Sequence, residues 1–205
     1  MEDVRDLKAL QLDALREVAN IGAGHAATAL SQMTNRTIMI AVPEVNIRAL
    51  EEVTDLVGAP DTVIAAVMMH MMGDLTGRTL VLFPEGSART LCDILLRRSP
   101  GTTREFDEME QSGIKEAGNI LASAYLNALS DFMGMMLVPS VPSLVVDLSA
   151  AVLTTAYLNF GHDRDFVFCV DTSFRVEGTE PLRGHFLLLP DMPSLRAIFD
   201  AIRLP

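Results

Sequence analysis

A chain of 205 residues with 49% hydrophobic content and a formal net charge of -11 has apolar material for one large core or two small ones, and it lacks the positive footprint that neutralises a nucleic-acid backbone. Its most apolar stretch, S-L-V-V-D-L-S-A-A-V-L-T-T-A, is interrupted by Asp147, and the start M-E-D-V-R-D has no apolar leader core, so no membrane insertion and no nucleic-acid partner are expected, and the reading is a cytoplasmic protein. Cys92 and Cys169 stand apart in the settings L-C-D-I-L-L and V-F-C-V, which suit core thiols rather than a disulfide framework or a zinc site.

The first element is a helix. L-K-A-L-Q-L-D-A-L-R-E-V is rich in helix formers, free of Gly and Pro, and spaces its apolar residues helically. It runs into N-I-G-A-G-H-A-A, where Gly22, Gly24 and Ala27 fit the nucleotide-binding pattern G-x-G-x-x-A. That fingerprint needs a strand ahead of its glycines, so these are read as lying inside the helix. At about 100° per residue, Asp13, Glu17, Asn20, Gly24 and Ser31 share one stripe, while Leu12, Leu15, Val18, Gly22, Ala26 and Ala29 lie opposite. The helix is expected to end near Met33 with Asn35 in the left-handed position. A short strand in T-I-M-I-A-V and a turn containing Pro43 follow.

Strands are expected at about 62–71 and 76–84, joined by a turn around Gly73 and Asp74, then a helix over 87–98 that stops before Pro100. The segment S-P-G-T-T-R-E-F-D, residues 99–107, is the seam between two halves. Beyond it the pattern recurs, because sliding the chain by 99 residues lays Asp13 on Ser112, Glu17 on Glu116, Asn20 on Asn119 and Pro43 on Pro142. Both copies read D/S-x3-E-x2-N-x22-P, and the glycines are outside the repeat: Gly22 falls on Leu121 and Gly24 on Ser123. The second helix presents Ser112, Glu116, Asn119, Ser123 and Ser130 on one stripe and buries Ile114, Ala117, Leu121, Tyr125 and Ala128. It should end near Met133 with Gly134 as its stop. Residues 149–158 fit a helix or a strand; strands follow at 165–175 and 183–190, and a helix closes the chain over 193–203.

The expected fold is α+β and internally duplicated with pseudo-two-fold symmetry: a mainly antiparallel sheet with two long motif-bearing helices packed on it. Residues 1–205 form one domain built from two repeats, about 1–100 and 101–205.

The chemistry must come from Glu and Asn. His25, His70, His162 and His185 have no metal-ligand spacing, three of them lie in apolar stretches that suit satisfied structural histidines, and M-M-H-M-M reads as adaptable core. No nucleophile elbow or phosphate loop is present. A lone Glu and Asn on a helix face are ordinarily just solvated. Here the pair recurs at identical spacing while the core positions around it vary in size, and mid-helix Asn is disfavoured by roughly several tenths of a kcal/mol. An amide transfers no proton at neutral pH but offers a donor and an acceptor in fixed geometry, enough to hold a water against an activated phosphoryl group.

D-A-L-R-E-V-A-N-I-G-A-G-H-A-A-T-A-L and the two E-x2-N-x22-P motifs resemble the CheC/CheX/FliY phosphatase family of bacterial and archaeal chemotaxis, over essentially the full chain. The resemblance implies hydrolysis of the aspartyl phosphate on the response regulator CheY. Asn20 or Asn119 would orient water and Glu17 or Glu116 would contact the regulator's Lys, with Asp13, Ser112, Pro43 and Pro142 as supporting motif positions. It implies no cofactor of the chain's own, Mg2+ on the phosphorylated regulator, and a second partner, the receptor deamidase CheD. P-S-L-V-V-D-L-S-A resembles the CheD-contacting region, which makes Asp147 a contact candidate. Ser112 replaces the Asp of the first copy, which the family pattern permits. A monomer is expected. An adaptor that sequesters phosphorylated CheY or CheD without hydrolysis, and a flagellar-switch component, remain the competing readings.

Overall fold

The computed structural model describes residues 9–53, 59–160, 166–176 and 179–201. The first half contributes helix α1 (Ala9–Thr34), strands β1 (Ile38–Ile40) and β2 (Glu44–Ala49), a 3-10 turn at Leu50–Val53, strands β3 (Val63–Gly73) and β4 (Gly77–Pro84), and helix α2 (Glu85–Leu95). The second contributes α3 (Glu108–Met133), β5 (Leu137–Pro139), β6 (Ser143–Leu148), α4 (Ser149–Phe160), β7 (Phe166–Val176), β8 (Leu182–Pro190) and α5 (Met192–Ala201). The ambiguous stretch after Leu148 is thus helical. Strands β2 and β6, which follow the motif prolines, were not anticipated from the sequence, and α2 starts and ends earlier than its expected 87–98.

All eight strands join one antiparallel sheet in the order β1-β7-β8-β4-β3-β5, with β2 also on β7 and β6 also on β3. Exchanging the halves returns the same order read backwards. The expected pseudo-two-fold therefore passes between β4 and β8, which pair directly. The halves are interlocked: the short strands after each motif helix complete the sheet on the other half's long strand.

Side-chain alternation divides the long strands between two cores. Ala65, Val67, Met69, Phe168, Val170, Phe186 and Leu188 face α1, α2, α3 and α5, whereas Ile64, Ala66, Leu80, Leu82, Cys169 and Leu187 face α4 through Val152, Leu153 and Ala156. Burial on both sides explains the unbroken apolar runs of β3 and β8. It also explains the thiols: both cysteines are buried, and burial pushes Cys92 up to about 12, so it is a core group rather than a nucleophile.

Both motif helices stop as their sequences indicate. Gly134 takes the left-handed conformation at φ 66°, its N–H bonded to the Ser130 carbonyl, and Asn35 takes it at φ 53°; these residue types adopt it at least cost. Ser31 and Ser130, placed on the outward stripes by spacing, instead secure the reversal into the next strand. Ser31 Oγ accepts the Ile38 N–H at 2.9 Å and donates to the Ala27 carbonyl at 2.7 Å, and Ser130 Oγ donates to the Met135 carbonyl. The seam is also ordered. Asp93, only 1% exposed, accepts from the Gly101, Thr102 and Thr103 amides and from Thr103 Oγ1. Burial would raise this carboxyl, yet the four hydrogen bonds hold it below the usual range.

Candidate functional site

The motif helices expose Glu and Asn because the opposite faces are arranged for burial. On α1, Leu15, Val18, Ala19, Ala23, Ala26 and Leu30 are buried; on α3, Ile114, Ala117, Leu121, Tyr125, Ala128 and Leu129 are. The two helices pack on each other and on the sheet. At Gly22 the approach is so close that an added Cβ would lie 2.6 Å from Tyr125 Cδ1 and 3.1 Å from its Cα. Gly118 meets Val67 in the same way, at 2.7 Å. Tyr125 is fixed by stacking on Phe186, centroids 4.9 Å apart, and by a 2.8 Å hydrogen bond with Thr172. Burial pushes its phenol up to about 12 despite that bond. Gly22 therefore serves helix packing, and the phosphate-loop likeness around it is coincidental.

With those faces turned in, Asp13, Glu17 and Asn20 on α1 and Ser112 and Glu116 on α3 are exposed, while Asn119 is half-buried. Glu and Asn three apart project from one side of each helix. Asp13 pairs with Arg16 at 2.8 Å, an exposed i,i+3 ion pair of little energetic weight. Among the described residues, no side chain hydrogen-bonds Glu17, Asn20, Glu116 or Asn119, so both carboxylates and both carboxamides are free to meet a visiting molecule. Pro43 and Pro142 stand immediately before β2 and β6. There a residue without an N–H starts a strand without a lost ladder bond.

Asp147 is exposed on β6, opposite Ile64 of β3, its carboxylate accepting the Leu148 N–H at 2.7 Å. The strand around it is apolar: Val145 (36% exposed), Val146 (36%) and Leu148 (42%) stand in solvent along β6. The related strand β2 is E-V-N-I-R-A, with polar residues alternating. Spacing did not reveal this asymmetry, although S-L-V-V-D-L against E-V-N-I-R-A carries it.

Among the described histidines, His185 is the satisfied core residue, its Nδ1 2.6 Å from Asp171 Oδ1 across the β7/β8 pair. His25 and His70 are exposed, correcting the expectation for both: His25 falls on the solvent face of α1, and His70 near the end of β3. His162 lies outside the described residues. No group of His, Cys, Asp and Glu among the described residues could hold a metal ion, and no described helix is long and apolar enough to cross a membrane.

Residues 10–47 and 109–146 match the model of the CheC-like family, each segment spanning one motif helix and the strands after it. Over 199 residues the chain is 35% identical to a Bacillus subtilis (strain 168) protein named CheY-P phosphatase CheC, covering 96% of this chain and 95% of that one. Among solved structures it is similar to Thermotoga maritima FliY, with 22% identity, a TM-score of 0.77 and coverage of 96% of this chain and 98% of that one. It is also similar to a chain of the CheX-CheY-BeF3-Mg+2 complex from Borrelia burgdorferi, with 13% identity, a TM-score of 0.50 and coverage of 82% and 95%. These two structures establish the shared α+β fold.

Proposed function

The chain belongs to the CheC-like family, and from that premise we propose that it is a phosphatase that hydrolyses the aspartyl phosphate of the response regulator CheY. The observation that carries this reading is the twice-presented, outward-facing pair of Glu and Asn, held by helices whose other faces are buried and left without internal partners. Asn20 or Asn119 enters the regulator's site and holds a water in line with the phosphoryl group through its amide donor and carbonyl acceptor. The water oxygen bonds to phosphorus and the bond to the aspartate oxygen breaks. The carboxylate leaves with that electron pair, and the water's protons pass to the phosphate product and solvent. Glu17 or Glu116 accepts a charge-assisted bond from the regulator's Lys and sets the docking register. Charge neutralisation falls to Mg2+ on the regulator, so the chain brings no cofactor of its own. One chain is the working unit, since each half's edge strands are completed by the other half.

CheD is the second partner in this reading, docking on the apolar outer edge of β6 beside Asp147. One side of β6 lies against β3; a strand-edge contact on the other would cover Val145, Val146 and Leu148.

Hydrolysis and sequestration are separated by one experiment. Purified chain added to phosphorylated CheY shortens the phosphate lifetime. The Asn20→Ala, Asn119→Ala double variant abolishes that effect while still binding CheY charged with beryllofluoride and Mg2+. Parent protein that binds charged CheY without shortening its phosphate lifetime would identify an adaptor instead.

A further inference from the structure

We propose that Gly24 is a clearance position in the first site: its bare backbone, one turn beyond Asn20, lets the phosphorylated regulator seat closely enough to receive the carboxamide. This rests on the phosphatase reading of Glu17 and Asn20.

The glycine has no structural reason to be there. It sits mid-helix, where glycine is among the least favourable residues, and α1 continues unbroken for ten residues beyond it. It is absent from the residues with positive φ. An added Cβ would meet nothing within 4 Å, whereas the same addition at Gly22 or Gly118 collides with Tyr125 or Val67. Neither conformation nor packing accounts for it, which leaves the solvent side.

That side is the site. Gly24 is exposed and lies four residues after Asn20 and seven after Glu17, on their face of the helix. Helical side chains lean toward the N-terminus and cover the preceding turn, so any side chain at position 24 would fold back over Asn20. Ile21, four residues after Glu17 and three before Gly24, is 46% exposed, a large apolar group turned outward next to both. Thr28 Oγ1 donates to the Gly24 carbonyl at 2.9 Å, so the hollow's backbone oxygen already has a partner. A knob at Ile21 and a hollow at Gly24 thus adjoin the Glu17 and Asn20 pair. The second copy has the half-buried Ile120 and Ser123 in these positions, so its hollow is shallower and the two sites seat the regulator differently.

The test uses the Asn119→Ala protein, in which only the first site can act, and compares Gly24, Gly24→Ala and Gly24→Gln. Thermal unfolding should show both substitutions at or above the parent melting temperature. Steady-state hydrolysis of phosphorylated CheY should show KM raised about tenfold or more by Gln and less by Ala, with kcat changed less than about twofold. Unchanged KM in a folded Gly24→Gln protein overturns the proposal. A fall in melting temperature shared by both substitutions also overturns it, because the glycine would then be structural. Wild-type hydrolysis with none from the Asn119→Ala protein removes the first site and this proposal while leaving the phosphatase reading intact; no wild-type hydrolysis removes both.

Discussion

An asparagine side chain has no proton to trade at neutral pH, so in the proposed reaction Asn20 and Asn119 act only through position. This divides the effects of the motif residues. In an Asn119→Ala background, Glu17→Ala should raise KM about tenfold or more while altering kcat little, because a charge-assisted bond of about 1.5–3 kcal/mol to the docked partner is lost. A pure kcat effect from Glu17→Ala would place the carboxylate in the chemistry instead. Asp93 makes a separate prediction. Its folded-state carboxyl is held low by hydrogen bonds from the seam, so its stabilising contribution is complete above the unfolded value of about 3.9 and disappears as pH falls through the lower folded value. Asp93→Asn should therefore be less stable than wild type at pH 7, with the gap in urea midpoint narrowing below pH 4; a gap independent of pH would contradict the assignment. The outward pair was legible in the sequence because 3.6-residue periodicity fixes a face. Ser31 and Ser130 were misassigned because a wheel gives direction and not partners: Ser31 reaches the first residue of β1 and Ser130 the backbone just before β5.

At the scale of elements, each helix is defined by what it packs against. Gly22→Ala would push a Cβ to 2.6 Å from Tyr125 Cδ1, and since Tyr125 is pinned by Phe186 and Thr172, α1 and α3 must separate. The expected loss is about 1–3 kcal/mol, read from denaturant unfolding, and an unchanged free energy would show that the tyrosine yields freely. The long helices, their stops and the strands β3, β4, β7 and β8 could be read in the sequence, since each has a long periodic or apolar signature. Strands β2 and β6 could not. They are short, β2 alternates polar residues on an edge and β6 is exposed nearly throughout, so tertiary pairing with β7 and β3 defines them rather than local pattern. Helix α4 was ambiguous because A-A-V-L-T-T-A is apolar and partly β-branched, and only its packing through Val152, Leu153 and Ala156 decides it. The outer edge of β6 carries the CheD proposal: Val145→Lys with Asp147→Arg should weaken CheD binding about tenfold, roughly 1.4 kcal/mol, in titration calorimetry while phosphatase activity persists. Unaltered affinity would move CheD elsewhere.

At the scale of the molecule, the interlocked sheet makes the halves mutually dependent. Residues 1–104 alone should show no cooperative unfolding, because β1 and β2 lose β7, and β3 loses β5 and β6. A sharp transition in that fragment would mean that each half folds by itself. The duplication also means that the two proposed catalytic stripes share one scaffold, and this supplies the most direct test of the central claim. Phosphate lifetime on labelled CheY is to be measured with wild type, Asn20→Ala, Asn119→Ala and the double variant, each confirmed as folded. The account predicts residual acceleration from each single variant and, from the double variant, a lifetime equal to that of CheY alone. A double variant that still shortens the lifetime as wild type does would contradict it.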